Sequence, residues 1–337
     1  MGKESKKITN IIKWAFVIII LFIIFMVFKD SYKDILRELL KLSFITLILL
    51  FAVSIIYNIF DGLAYYMHGK RHNKDFKIID GILCSYYCGF FRLATLGGGT
   101  AVAGIYYLRN KKIDEVSSGS FITINYMIQK IAVLFNFLLL FFINFSKMKK
   151  NYGEYIKYIY LGILFTFIIV SVLLAVCLSK NMHMALMGII RFLDKKKRLD
   201  KYIIIADEKL TKLRKDTLTY IKDKKLLLKL FMINSLKFIL GWNLIGAVFI
   251  GSGSISDIIF YEGVSSVAIA LAGVIPAPGG AGSTEFLFYS LYSIITTKAI
   301  AGGIMVLYRV FTYFVPFIFG GIYIFILKLI NKNTAGR

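Results

Sequence analysis

The chain has 337 residues, a net charge of +23 and 58% hydrophobic residues, with a mean hydropathy of +0.72. Apolar runs of about 20 residues exclude an ordinary soluble domain, and three cysteines, Cys84, Cys88 and Cys177, all in apolar sequence, exclude a disulfide framework. Most of the 42 Lys and Arg residues sit in short loops between apolar segments, as anionic lipid surfaces and the positive-inside rule require, so the charge points to membrane and not to nucleic acid.

In chain order, the first apolar run, 14–28, follows Lys3, Lys6, Lys7 and Lys13. With Lys29-Asp30-Ser31-Tyr32 directly after it, it lacks a small-residue cleavage site and reads as a retained helix. Segment 29–41 carries four basic residues that Asp30, Asp34 and Glu38 balance at helical spacing. Spans follow at 42–60, 119–145, 155–179, 226–250 and 299–327, giving about six crossings in an all-α polytopic membrane protein that forms a single domain. Two further apolar stretches are broken. Residues 84–108 are split by Gly97-Gly98-Gly99-Thr100, and residues 257–296 by Val274-Ile275-Pro276-Ala277-Pro278-Gly279-Gly280-Ala281-Gly282-Ser283-Thr284-Glu285. Unwound backbone in lipid leaves peptide groups without partners, so such breaks survive only where protein buries them or where they line a polar cavity. Broken helices near the midplane are also where transporters hold substrate.

The basic N-terminus and the basic loop 180–225 are expected on the cytoplasmic side. That loop mixes its cations with Asp194, Asp200, Asp207, Glu208, Asp216 and Asp223, and places Ile203, Leu210, Leu213, Leu218 and Ile221 near helical spacing. It reads as an amphipathic helix lying on the leaflet. Counting inward puts loops 61–83 and 109–115 inside, 251–256 outside and the C-terminus inside, with Lys147, Lys149 and Lys150 as exceptions. The hairpin 84–108 then dips in from the cytoplasm and 257–296 from outside. Span, broken hairpin and span thus occur twice with opposite sense, either by chance or as an inverted-topology repeat.

Ionisable groups inside apolar segments are costly unless paired or hydrated; here they are Arg92, Lys130, Lys237, Asp257, Glu262, Glu285 and Arg309. Arg309 lies roughly 15 Å into its span and needs an anion, for which Glu285 is the best placed. The pair would hold the hairpin together, or serve substrate or proton coupling, or Glu285 would simply cap the helix opened by Ser283 and Thr284. The run of Gly97, Gly98 and Gly99 before Thr100, with Arg92 ahead of it, would offer backbone N–H groups to a phosphate or else pack helices closely. No lysine follows to make it a P-loop. His68 and His72 have metal-ligand spacing but are placed in a basic loop without a third ligand. Cys84 and Cys88 read as packing residues one turn apart, and Asp61, Asp75 and Asp80 are scattered. No nucleophile, base and metal set assembles, so no catalytic residue, metal or cofactor is expected.

The stretch Pro276-Ala277-Pro278-Gly279-Gly280-Ala281-Gly282-Ser283-Thr284-Glu285 closely resembles the signature of the lysylphosphatidylglycerol synthase transmembrane (flippase-like) family. The Gly-rich break before the apolar helix ending in Leu108-Arg109 resembles a second, more degenerate one, and the similarity covers about residues 10–330. The family often has an acid where this chain has Thr100. Members that make lysylphosphatidylglycerol carry a cytoplasmic acyltransferase-like domain after the membrane part, whereas this sequence ends at Arg337. The resemblance therefore implies the membrane half, which moves or presents an anionic or aminoacylated phospholipid in the cell membrane and is linked to surface charge and cationic-peptide resistance. Aminoacyl transfer itself is not implied. The binding residues would be Arg92, Gly97, Gly98, Gly99, Thr100, Pro278, Gly279, Gly280, Glu285 and Arg309, and the partners membrane phospholipids, with a homo-oligomer left open. The alternative is an accessory subunit that recruits a separate lipid-modifying or glycosyl-transferring enzyme through 180–225.

Overall fold

The computed structural model describes residues 32–181, isolated positions between 184 and 215, and residues 218–251, 254–275, 277 and 280–335. The expected first span and most of the 180–225 loop lie outside the described residues. Those described are all-α: α1 (Tyr32–Leu40), α2 (Phe44–His72), α3 (Ile78–Ala94), α4 (Thr100–Asn110), α5 (Glu115–Ile143), α6 (Phe145–Tyr152), α7 (Ile156–Leu178), α8 (Lys224–Lys237), α9 (Leu244–Ile250), α10 (Ile255–Ala272), α11 (Ser283–Ile295), α12 (Lys298–Arg309) and α13 (Val315–Ala335). A π turn joins α8 toward α9 at Phe238–Trp242, and another joins α12 to α13 at Val310–Phe314.

Side-chain oxygens fix the helix starts. Ser43, Asp114, Asp223 and Thr297 each accept from the backbone N–H three residues on, at 3.1, 2.9, 3.0 and 3.2 Å, satisfying donors that a first turn leaves open. On α1, Arg37 pairs with Asp34 and Lys41 with Glu38, the local balance of charge that their spacing predicts. By length and composition six helical segments can cross a membrane: Phe44–His72, Glu115–Ile143, Phe145–Val172, Lys224–Ile250, Ile255–Ala272 and Lys298–Ile330. The first limb of the second broken hairpin is thus itself long enough to cross, at 18 residues. The 11-residue α4 reaches only about 16 Å and is too short to cross. Exposed Ile318, Phe319, Ile322, Phe325 and Ile326 on α13 form an apolar face turned outward, as lipid requires.

Two buried clusters hold the bundle. One gathers Tyr57, Phe137, Phe141, Trp242, Phe288, Tyr292 and Tyr308; the other gathers Tyr65, Cys84, Cys88, Phe121, Leu226 and Leu230. Cys84 and Cys88 are free thiols buried in the second, packing residues as their setting predicts. Helices α2 and α3 touch backbone to backbone where Gly62 meets Gly81. A Cβ on Gly62 would lie 2.5 Å from Ile82 Cα, and one on Gly81 would strike Gly62 O. This close crossing sets the register that brings Asp61 to Ser85.

One expectation is corrected by α2. The loop placed at 61–83 is helical as far as His72, so Asp61, His68 and His72 are helix residues. His68 is buried, stacks on Phe121 at 4.4 Å between ring centres and meets Tyr220 Oη through Nδ1 at 3.0 Å. Tyr220 and Ser117 both reach His72 Nε2, at 3.2 and 3.1 Å. The histidines thus tie the end of the 180–225 segment to α2, and no metal-binding group of three or more His, Cys, Asp or Glu occurs among the described residues.

Candidate functional site

Where the two clusters meet, a cavity of about 470 Å³ opens. Helix α2 contributes Tyr57, Asp61 and Tyr65; α3 contributes Cys88 and Arg92; the glycine turn and α4 contribute Gly97, Thr100 and Ala101; α5 contributes Thr123, Asn125, Tyr126 and Gln129. Trp242 and Tyr313, one from each π turn, complete the wall. π turns interrupt the α ladder and often mark functional sites; here each delivers an aromatic ring. Trp242 stacks on Tyr57 with centroids 3.9 Å apart.

Charge is distributed unevenly around this cavity. Lys237 is fully buried and donates to Asp61 Oδ1 at 2.7 Å. Ser85 Oγ donates to Asp61 Oδ2 at 3.0 Å, and the ammonium also lies 5.1 Å from the Tyr57 ring centre. A buried pair of this kind holds only when geometry and extra hydrogen bonds offset desolvation; both are present. Asp61 and Lys237 cancel. Arg92 remains as the surplus cation. Its Cζ lies 5.7 Å from the Trp242 ring centre and 5.9 Å from that of Tyr313, and it makes no ion pair or hydrogen bond among the described residues. A guanidinium that faces aromatic rings and forms no direct ion pair among the described residues suits an oxyanion such as phosphate.

The sequence-predicted Glu285–Arg309 pair forms. Arg309 Nε donates to Glu285 Oε1 at 2.6 Å and Nη2 to Oε2 at 2.7 Å, a two-pronged fork, while Nη2 also donates to Gly280 O at 2.5 Å. Glu285 caps α11 as well, accepting from Gly282 N–H at 2.8 Å. The two structural roles weighed from sequence are therefore held by one carboxylate at once. Gly280 and Gly282 have φ of +68° and +86°, values that glycine adopts without strain. The pair lies beside the cavity and not in its wall, with Tyr313 between: the Arg309 Cζ is 4.4 Å from the ring that also faces Arg92.

The glycine turn departs from expectation. Its N–H groups are already used: Gly97 donates to Arg92 O at 2.7 Å, Gly98 to Thr95 O at 3.2 Å, Thr100 to Gly97 O at 3.4 Å, and Gly99 to Thr95 Oγ1 at 2.7 Å. The turn closes α3 upon itself, and these N–H groups are taken up within it. Thr100 donates its hydroxyl to Gly97 O at 3.0 Å. Pro278 and Gly279 lie outside the described residues.

Asp61 was missed from sequence, and Lys237 was seen without its partner. The available signal was the polar and aromatic series Tyr57, Asn58, Asp61, Tyr65 and His68, which keeps one helical face past the end of the apolar run. Lys147 pairs with Asp257 at 2.9 Å, placing those two charges at the same end of the bundle.

These features define a multi-pass α-helical membrane protein with a cationic, aromatic-walled cavity at the tip of a broken helix pair. The chain belongs to the lysylphosphatidylglycerol synthase transmembrane-region family, which it matches over residues 12–320; that membership ties it to membrane lipid. Comparisons with curated proteins and with solved structures return no match.

Proposed function

We propose that the protein moves an anionic or aminoacylated phospholipid, of the lysylphosphatidylglycerol type, between leaflets of the cell membrane. The observation that carries this reading is Arg92, a cation that forms no direct ion pair among the described residues, in the wall of a cavity of about 470 Å³. That volume falls within the roughly 300–1,000 Å³ typical of ligand pockets and accommodates a phosphoglycerol headgroup, while the acyl chains stay in lipid. Arg92 holds the phosphate, and the hydroxyls and amides of Thr123, Asn125 and Gln129 face the glycerol. Asp61, the carboxylate in this wall, pairs with Lys237 and would be shared with a lysyl ammonium. Glu285 and Arg309 form the pair that opens on the outer side, with both termini cytoplasmic. The two broken hairpins, one from each leaflet, are the halves of an inverted repeat about this path.

A leaflet-resolved assay in vesicles reconstituted with the purified protein tests the reading, using labelled phosphatidylglycerol, its lysyl ester and a zwitterionic control lipid. The expected result is protein-dependent movement of the first two and an at least tenfold slower rate in Arg92→Gln. Equal rates for Arg92→Gln and the unaltered protein would overturn it.

A further inference from the structure

Beyond the cavity that holds Arg92 lies a smaller one of about 130 Å³. Tyr126, Gln129 and Trp242 border both, so one partition of three side chains separates them. The smaller cavity has its own cation, Lys130. Lys130 sits at the middle of the 29-residue α5, which puts it near the bilayer centre, where an uncompensated charge is expensive and functional. Among the described residues it makes no hydrogen bond or ion pair, and its ammonium lies 5.3 Å from the Tyr126 ring centre. What supports the charge is the last turn of α10. A Cβ built on Gly273 would be 3.4 Å from Lys130 Nζ and 3.3 Å from Ala270 O, so the ammonium faces the negative end of that helix, and among the described residues no carboxylate pairs with it.

The partition has an unused polar group as well. Trp242 is 9% exposed, and its indole Nε1 is buried without a hydrogen-bond partner among the described residues, an arrangement that costs stability and that an anionic ligand would relieve. The π turn that carries Trp242 is bent at Gly241, whose φ and ψ are −117° and −111°, so the ring is held by an irregular segment and not by a rigid α turn.

We propose that Lys130 is a second anion station, and that the headgroup phosphate held at Arg92 passes Trp242 to reach it. This inference rests on the lipid-moving reading and adds to it an order of two sites. Arg92 takes the phosphate in the larger cavity, the Trp242 Nε1–H donates to it in transit, and Lys130 receives it beside the end of α10, next to the Pro-Gly break. A single station would hold the anion without giving it anywhere to go.

The test separates binding from movement. With Trp14→Phe as background, Trp242 is the sole tryptophan, and its emission reports occupancy when the protein is titrated with phosphatidylglycerol vesicles or with inorganic phosphate. Labelled phosphatidylglycerol in reconstituted vesicles reports movement. Lys130→Gln is expected to bind phosphatidylglycerol within about threefold of the background protein, which also shows that it is folded, and to move it at least tenfold more slowly; Lys130→Arg is expected to restore movement. Movement at full rate in Lys130→Gln, with Arg92→Gln inactive, overturns the second station and leaves the lipid-moving reading standing. Loss of binding together with movement makes Lys130 part of one site with Arg92 and overturns the two-station order. An equal emission response to inorganic phosphate, with no lipid movement by the background protein, overturns both.

Discussion

Replacing Asp61 by Asn leaves Lys237 charged and fully buried without its carboxylate. In the native protein the two are 2.7 Å apart, and the side chains are 12% and 0% exposed. At an effective dielectric of about 20 the direct attraction at that distance is about 6 kcal/mol, and desolvation of both groups takes back a large part of it. Asn keeps an acceptor for the Ser85 hydroxyl, so what is lost is almost wholly the charge. Breaking a buried pair from one side costs about 3–5 kcal/mol, whereas replacing both members by neutral groups of similar size is near neutral. Unfolding by chaotrope in a fixed detergent should therefore show Asp61→Asn destabilised by about 3–5 kcal/mol. Lys237→Met should be destabilised through its orphaned Asp61, and the double variant should fall within about 2 kcal/mol of the native protein, a coupling energy well above the usual scatter of about 0.5 kcal/mol. Additive single effects, or a loss below about 1 kcal/mol in Asp61→Asn, would refute the burial argument and recast the pair as a hydrated surface contact.

Glu285→Gln keeps an acceptor for the Gly282 N–H but removes the charge from the Arg309 fork; expression and α11 should persist while outward lipid movement stops, and unchanged movement in reconstituted vesicles counts against the pair's role. Gly81→Ala drives a methyl into Gly62 O and to 2.8 Å from Tyr66 N; overpacking of this kind costs about 1–3 kcal/mol, read as a lowered Tm, and an unchanged Tm would deny the backbone crossing. Asp223 accepts from Leu226 N–H and pairs with Arg71, which together hold its carboxyl below the usual range. A depressed carboxyl contributes stability that is complete above its unfolded pKa of about 3.9 and lost as pH falls through the folded value. The Tm difference between the native protein and Asp223→Asn should accordingly shrink below about pH 4, and a difference that grows there would contradict the assignment.

What could be read from the sequence follows the cost of each group. Glu285 and Arg309 stood out because each is an ion in apolar sequence near a break, and the structure joins them through two hydrogen bonds. Asp61 did not stand out. Hydropathy marks where lipid ends, and the helix carrying Asp61 continues to His72, so the residue looked like the start of a loop. The glycine break was legible as a break, but hydropathy and composition say nothing of where its N–H groups go; Thr95, a side chain four residues before Gly99, takes one of them. Tyr313 and Trp242 were illegible for another reason, since aromatic residues are abundant in this chain and only the backbone at the π turns singles these two out.

Those π turns have a consequence for how the cavity could arise and how it could be erased. An i→i+5 turn houses one residue more than the α ladder on either side of it, so the Val310–Phe314 turn is equivalent to a single-residue insertion in an otherwise regular helix, whereas Phe238–Trp242 is also kinked at Gly241. The insertion rotates everything after it by about 100° and shifts it by about 1.5 Å. That turn and the kinked one at Phe238–Trp242 supply the two aromatic rings that face Arg92. Removing one residue from Val310–Phe314 would yield a more regular helix, with Tyr313 turned away from the cavity. In this protein the site and the ideal helix are competing solutions of the same segment, and a deletion of one codon separates them.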